Sequence, residues 1–287
     1  MSVELRHLRC LVAVVDGGTL TDAAIGLGVS QASVSRTLAS LEAELGVLLV
    51  RRTSRELSLT STGSEVLARA RRVLADTDDL VHEARSGHTQ LRLGHAWSAL
   101  GRHTLVFQRR WGQEQPSTEL HLVRTNSPTA GLAEGTCRLA VLRVPPDPRR
   151  YDSVVVGLER RFCAVASDDP WARRRSVRLT DISRRLLLID ARTGSTTLDL
   201  WPVEARPRTE RTDDIDDWLM VIATGRCVGV TAEATVGQYP RPGVTYRPVS
   251  DAEPVTVRLA WWRGEKHPAT DAAVQLATGL YRDGAVG

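Results

Sequence analysis

Residues 28–46 read GVSQASVSRTLASLEAELG. Gly28 suits the left-handed conformation that stops a helix, Val29 plugs a turn, and Ser30 is a good N-cap for a new helix starting at Gln31. At about 100° per residue, Val34, Leu38, Leu41 and Leu45 fall on one face, whereas Ala32, Arg36 and Ser40 point away from it. Gln31, Ser33 and Ser35 lie near the exposed N-terminal end of that helix. Small side chains there let a backbone enter the major groove of DNA, and Gln31 and Arg36 offer forked donors to base edges or phosphates. The same stretch also fits an ordinary amphipathic surface helix behind a serine cap, because short capped helices around a glycine turn occur in proteins unrelated to DNA.

The flanking residues favour the first reading. Leu5, Leu8, Val12 and Val15 step by three and four, which predicts a first helix ended by Gly17 and Gly18. Thr19 caps a second helix, with Asp22 three residues on to answer it, and Ala23, Ala24 and Leu27 give that helix a narrow apolar face. After Gly46, residues 47–63 read VLLVRRTSRELSLTSTG. Leu48–Val50 and Leu57–Leu59 are the predicted arms of a hairpin whose tip carries Arg51, Arg52, Thr53, Ser54 and Arg55. Such a wing lays arginine along phosphates or the minor groove and adds salt-dependent affinity; solvated loop arginines are the plain alternative.

From Leu5 to Leu74 the chain resembles the winged helix-turn-helix of LysR-type transcriptional regulators. The shared elements are Ala23-Ala24, Val29-Ser30-Gln31, Ser35-Arg36, Leu41-Glu42, Leu45-Gly46, Arg52-Thr53 and Leu59-Thr60 with Gly63. The resemblance implies that double-stranded promoter DNA is contacted by Thr19, Ser30, Gln31, Ala32, Ser33, Ser35 and Arg36, and by Arg51, Arg52, Thr53 and Arg55 of the wing. Two departures stand out. Ala32 replaces the family's usual proline after the Ser-Gln pair, and Leu48, Leu49 and Val50 replace its usual Pro-Leu-Phe before the wing. Both keep helix propensity or apolar character, so the fold is unaffected while the bases read are not specified.

From Thr62, with Glu65 three residues on as a capping box, a helix is predicted to run to about Ala84. Val66, Ala70, Val73, Thr77, Leu80 and Ala84 alternate four and three along it, with Leu67, Leu74 and Val81 beside them, a heptad pattern of about three repeats. The pattern fits either intramolecular packing or self-association. The family resemblance implies a dimerising linker through Val66, Ala70, Val73, Thr77 and Leu80, giving a homodimer or homotetramer with two reading heads on one site. Arg85 to His88 break the pattern, so the expected division is a DNA-binding domain at 1–61, a linker helix at 62–88 and a regulatory domain at 89–287.

Beyond residue 90 short apolar runs alternate with helical stretches. Strands are predicted at 91–94, 120–123, 139–142, 162–166, 186–189, 228–230 and 257–261, and helices near 100–111, 129–134, 214–224 and 270–280. That alternation predicts an α/β domain with largely parallel sheet, long enough for two lobes about a cleft. Ligands of such folds bind beyond the carboxyl ends of the strands. His95, Ala96, Trp97 and Ser98 follow the first strand, Arg124 to Ser127 the second and Arg143 the third; RTGST at 192–196 and Thr231 follow later ones. More loosely than at the N-terminus, residues 90–283 resemble the two-lobed, periplasmic-binding-protein-like effector domain of the same family. The candidate effector residues are Trp97, Ser98, Asn126, Ser127, Arg143, Thr196 and Thr231, with Arg124 and Arg143 suited to a carboxylate. Structural caps and surface ion pairs are the alternative roles.

Bulk composition narrows the field further. A hydrophobic fraction of 42% and a charged fraction of 25% match a chain that folds in water. The net charge of +4 is carried almost wholly by arginine, Lys266 being the only lysine, and arginine's planar fork suits phosphate, carboxylate and guanine edges. There is no signal-peptide pattern and no apolar run of membrane-spanning length, so a cytoplasmic protein without membrane contact is expected. Cys10, Cys137, Cys163 and Cys227 stand singly in apolar surroundings, read as buried thiols. HExxH, SxxK, GxSxG and P-loop patterns are absent, GLGVSQ at 26–31 lacks the third glycine of a dinucleotide fingerprint, and the histidines lack metal-ligand spacing. No metal, cofactor or catalysis is therefore expected. The reading is a promoter-binding regulator that responds to a small-molecule effector and acts on RNA polymerase, against the alternative of an α/β sensor or enzyme with no role in gene control.

Overall fold

The computed structural model describes residues 3–52 and 57–284. It divides into two compact units, one running to Thr89 with Ala133–Thr136 added, the other comprising Gln90–Leu132 and the chain from Cys137 onward.

The first unit is built from three short helices, α1 (Leu5–Gly17), α2 (Leu20–Leu27) and α3 (Gln31–Leu45), then a two-stranded ribbon, β1 (Val50–Arg52) and β2 (Leu57–Leu59), and the long helix α4 (Ser61–Ser86). Local chemistry places each helix start. Thr19 Oγ1 accepts the Asp22 N–H at 3.0 Å and Ser30 Oγ accepts the Ser33 N–H at 3.2 Å. Gly28, at φ 65° and ψ 32°, supplies the left-handed turn between α2 and α3. The core joins Cys10, Leu11 and Val14 with Ala23, Ala24, Val34, Leu38, Leu41, Leu49, Leu67 and Ala70. The buried stripe of α1 is thus shifted from the predicted one: Leu8, Val12 and Val15 are only partly covered and Leu5 is exposed, because α2 and α3 meet α1 on its Cys10–Val14 side. Leu45 likewise lies outside the core, one turn beyond the last contact of α3.

The ribbon is antiparallel, with Val50 opposite Leu59 and Arg52 opposite Leu57, so its first arm starts two residues later than predicted. Leu48 and Leu49 are held out of it: the Leu49 and Val50 amides donate to Glu42 Oε1 at 2.8 and 3.1 Å, which ties the approach to the wing onto α3. The long helix is capped by Thr60 rather than Thr62. Thr60 Oγ1 accepts the Gly63 N–H at 2.8 Å and donates to the Leu48 carbonyl at 2.8 Å, so one side chain both starts the helix and pins the strand before it. Gly63 sits where any Cβ would run into the Leu49 carbonyl oxygen.

The second unit contains two five-stranded sheets. The first lobe has the order β4 (Thr118–Arg124), β3 (Thr89–His95), β5 (Leu139–Leu142), β12 (Val255–Trp262), β6 (Tyr151–Glu159). Helices α5 (Thr104–Glu114) and α9 (Thr270–Asp283) cover it, packing Phe107, Trp111, Ala273, Leu276 and Leu280 on Leu91, Leu93, Leu139, Val257 and Leu259. The second lobe has the order β11 (Val244–Pro248), β7 (Arg161–Ala166), β10 (Val228–Ala232), β8 (Leu187–Asp190), β9 (Thr209–Thr212). Its helices are α6 (Leu179–Ile182), α7 (Ile215–Ala223) and α8 (Glu233–Gln238). The chain crosses between lobes twice, from β6 to β7 and from β11 to β12.

The sheets are mixed, not largely parallel. β3–β5, β10–β8 and β8–β9 are parallel pairs, whereas β12 runs antiparallel to β5 and β6, and β7 antiparallel to β10 and β11. The antiparallel members are those the crossings deliver, since a strand returning from the other lobe re-enters its sheet from the opposite end. The helix predicted at 129–134 is a series of turns, and Ala130 at φ 50° followed by Gly131 at φ 102° is incompatible with a right-handed helix.

Replacing Gly63 by alanine should lower the stability of the N-terminal unit by about 2 kcal/mol, the scale of overpacking a filled core. Urea unfolding followed by circular dichroism reads this as a lower midpoint, and the loss should exceed that of Gly26→Ala, whose added Cβ meets open space.

Candidate functional site

Two separate surfaces hold the residues singled out by sequence. On the first unit, the N-terminal turns of α3 present Gln31, Ala32 and Arg36 to solvent, with Ser33 and Ser35 half-buried and Val34 beneath them in the core. Among the described residues, Gln31 and Arg36 have no hydrogen-bond or ion-pair partner, so their side chains are available to an external acceptor. Thr19 and Ser30 are exposed caps whose oxygens are already engaged by backbone amides. Arg51 projects into solvent from β1; Arg52 is in the same strand, while Thr53 and Arg55 lie outside the described residues.

The linker seam divides in two. Ala70 belongs to the core of the first unit, and Val66, half-buried, packs against that core. The N-terminal half of α4 lies over α1, and its apolar positions are used there. Beyond it, Val73, Leu80 and Val81 are exposed, Leu80 at 65%, and Thr77 returns its hydroxyl to the Val73 carbonyl at 2.9 Å.

In the second unit, the segments after β3 and β4 meet the loops of the second lobe through a set of direct bonds. Trp97 Nε1 donates to the Thr193 carbonyl at 3.2 Å, Tyr239 Oη donates to the Trp97 carbonyl at 2.7 Å, and Ser98 Oγ donates to Gln238 Oε1 at 2.6 Å. Asn126 Nδ2 donates to the Asp213 carbonyl at 2.9 Å, and Arg124 lies 3.8 Å from Asp214, the N-cap of α7. Trp97, Ser98 and Asn126 are therefore gathered at the junction of the lobes, where the carboxyl ends of β3 and β4 face the second sheet. Ser127 stays within its own turn, accepting the Gly131 N–H at 3.2 Å. Thr196 Oγ1 donates to the Val230 carbonyl at 2.6 Å, and Thr231 and Thr235 share a 2.6 Å hydroxyl contact.

Arg143 departs from its expected part. Its guanidinium is buried: Nε and Nη2 bond both carboxylate oxygens of Glu159 at 2.9 and 2.8 Å, and Nη1 and Nη2 reach the Ser98 and Ala99 carbonyls at 2.9 Å. Its face lies 4.6 Å from the centre of the Trp97 ring. Tyr281 donates to the other side of Glu159 at 2.8 Å. Burial opposes both charges, yet Arg143 and the Tyr281 hydroxyl outweigh it and hold the Glu159 carboxyl below the usual range, so the pair is ionised. Four of the five guanidinium N–H groups are thus used within the fold, two of them on Glu159, which leaves a single Nη1 N–H for any further acceptor. A cavity of about 320 Å3 opens beside this network, lined by Leu100, His103, Phe162, Val236 and Tyr281 among others.

Sequence reasoning missed the partners: Glu159 and Tyr281 belong to a strand and a helix far away in sequence, and no local pattern links them to Arg143. It named His95 as following a strand without assigning it a role. His95 is buried and its Nδ1 has no hydrogen-bond partner. Burial, with the charges of Arg124 and Arg143, lowers its pKa to about 4. All four cysteines are buried free thiols, and burial pushes Cys163 up to about 12. No cluster of metal-ligating side chains occurs among the described residues, nor any helix long and apolar enough to cross a membrane.

A winged helix-turn-helix followed by a long helix, with a separate two-lobed α/β unit, defines a class of ligand-responsive DNA-binding regulator. Comparison with known proteins gives the family. A model described as the bacterial regulatory helix-turn-helix protein of the lysR family matches residues 5–64, and the LysR substrate binding domain matches residues 84–281. The chain belongs to the LysR family of transcriptional regulators. It is 30% identical over 210 residues to the uncharacterized HTH-type transcriptional regulator YnfL of Escherichia coli (strain K12), across 69% of this chain and 70% of that protein. It is 31% identical over 296 residues to a small neutral protease regulatory protein of Streptomyces coelicolor, across 96% and 92% of the two chains. The crystal structure of CbnR, a LysR family transcriptional regulator, shares the fold with a TM-score of 0.70 at 22% identity, covering 96% of this chain and 98% of that one. The relatives are transcriptional regulators, not enzymes, and the protein is a LysR-type regulator with a DNA-binding head and an effector-binding domain.

The depressed His95 pKa has a sign that can be measured. Below about pH 6.5 the unfolded chain takes up a proton that the fold refuses until about pH 4, so stability falls as the pH drops through that window, by on the order of 2 kcal/mol. Urea titrations at pH 7 and pH 4.5 should show a smaller acid loss in His95→Gln than in the parent.

Proposed function

We propose that two copies of the chain, joined through the exposed C-terminal half of α4, place their α3 helices in successive major grooves of an interrupted dyad in promoter DNA. The observation that carries this is the solvent-facing turn of Gln31, Ala32 and Arg36, whose two long side chains have no partner among the described residues. Thr19, Ser30, Ser33 and Ser35 border the same face and are suited to phosphate contacts. Arg51 supplies further positive charge toward the phosphate backbone. The wing residues Arg52, Thr53 and Arg55 are assigned to the same contact on the family resemblance.

The effector enters between the lobes, where Trp97, Ser98 and Asn126 bond across the junction. Ser127, Thr196 and Thr231 flank that junction on the strand-end turns. A ligand that takes over some of these bonds favours a different angle between lobes, and that difference is how binding is converted into altered spacing of the two heads. Gene control then acts through RNA polymerase at the promoter, in the cytoplasm where the DNA is held.

Footprinting on the DNA flanking the protein's own gene, with and without metabolites of neighbouring pathways, tests the reading. Arg36→Ala should weaken binding to the protected site by about 1 to 3 kcal/mol and flatten the salt dependence by about one unit of slope; unchanged, salt-insensitive affinity would exclude Arg36 from the contact. Leu80→Asp should convert the dimer to a monomer in sedimentation experiments and remove binding to the full dyad, while leaving thermal stability of the N-terminal unit within about 0.5 kcal/mol, as for an exposed site.

A further inference from the structure

The effector junction is rich in arginine, and nearly every arginine there is already matched. Arg143 is paired with Glu159, Arg124 with Asp214, Arg160 with Glu233 and Arg192 with Asp213. Arg161 is the exception. It opens β7, and because β7 runs antiparallel to β10 with Arg161 opposite Ala232, it stands at the carboxyl end of β10 and its parallel neighbour β8. That is the edge of an α/β sheet at which ligands bind. Its side chain is half-buried and meets no carboxylate: Nε donates to the Glu253 carbonyl at 2.8 Å and Nη1 to the Ser195 carbonyl at 3.0 Å. Burial alone acts on its charge, and lowers its pKa.

Next to it lies a second unmet group. Ser195 is buried and its hydroxyl has no hydrogen-bond partner, although its neighbours do: Thr193 accepts from Trp97 of the first lobe and Thr196 donates to Val230. A half-buried charge without a counter-charge and a buried hydroxyl without a partner each cost free energy, and one group offsets both, an anion with two or more oxygens. We propose that Arg161 and Ser195 form the anion-recognition point of the effector site, Arg161 donating from its free guanidinium nitrogen and Ser195 from its hydroxyl to an oxyanion carried by the small molecule. The inference rests on the effector reading above and moves the charge recognition from Arg143, which keeps a single N–H to spare, to a residue at the lobe crossing. An anion held there touches the start of β7 and the 190–196 loop together, the two segments that bond to the first lobe or lead from it.

The test uses the full-length protein in chloride buffer at constant ionic strength, titrated with sodium acetate, sodium benzoate, potassium phosphate or sodium sulfate, with the melting temperature as readout. At least one probe should raise the melting temperature saturably. The half-saturating concentration should rise tenfold or more in Arg161→Gln and severalfold in Ser195→Ala, but remain unchanged in Arg160→Gln, which removes a neighbouring exposed charge. Saturation by carboxylates alone identifies a planar group and saturation by phosphate or sulfate alone a tetrahedral one; either supports the assignment. If Arg161→Gln does not fold, Arg161→Lys keeps the charge without the fork and should still weaken the response. Equal curves for parent and Arg161 variants, or no probe acting beyond chloride, overturn the assignment. Promoter binding measured without added anion separates the two readings: loss of DNA recognition with an intact Arg161-dependent response would sink the regulator reading alone, and the reverse would sink only this one.

Discussion

A guanidinium with almost no access to water sits where the chain leaves the first lobe for the second. Arg143 is bonded through both ends of its fork to Glu159, and the side chains of the pair are only 4% and 5% exposed. Breaking such a pair by removing one partner costs about 3 to 5 kcal/mol, because the other charge is left buried and alone. Its geometry is correspondingly over-determined: Tyr281 fixes Glu159, the Ser98 and Ala99 carbonyls fix Arg143, and Trp97 lies against the guanidinium face. The loop that meets the second lobe is thereby tied to the strand that leads into it. The 97–99 loop and the crossing at 159–161 are thereby joined through one set of bonds.

The N-terminal unit solves a different problem with short-range means. Its first three helices, of 13, 8 and 15 residues, are short enough to be marginal by propensity alone; α2, α3 and the long α4 are started by side-chain caps, Thr19, Ser30 and Thr60, and stopped by glycine. Thr60 and Glu42 then join the ribbon to the helices through backbone atoms of Leu48, Leu49 and Val50. This explains how the approach to the wing keeps its place at Leu48, Leu49 and Val50. The interactions that hold it are made by the backbone and do not depend on those side chains. Gln31 and Arg36 of α3 are left with no hydrogen-bond or ion-pair partner among the described residues.

The division of labour explains what could be read in advance. In the first ninety residues the determining contacts are close in sequence, so caps, turn glycine and apolar spacing located α2, α3 and the wing, although the buried stripe of α1 was displaced by the partners that pack on it. In the C-terminal unit, apolar runs located seven strands, but β9, with the polar sequence TERT, gains its strand character only from pairing with β8. The direction of β7 and β12 was equally invisible, since it follows from two lobe crossings and from no local pattern.

The sequence alone determined the class of the protein, because a recognition helix and its wing are specified by residues a few positions apart. It also marked the strand-end turns on which Trp97, Ser98 and Asn126 are brought together. Tertiary structure decided which arginines are free. Arg143 and Arg161 look alike along the chain, but the fold gives one a buried carboxylate from a strand sixteen residues on, and gives the other only two carbonyls. Charge pairing depends on three-dimensional proximity and the exclusion of water, and neither is written in the local sequence.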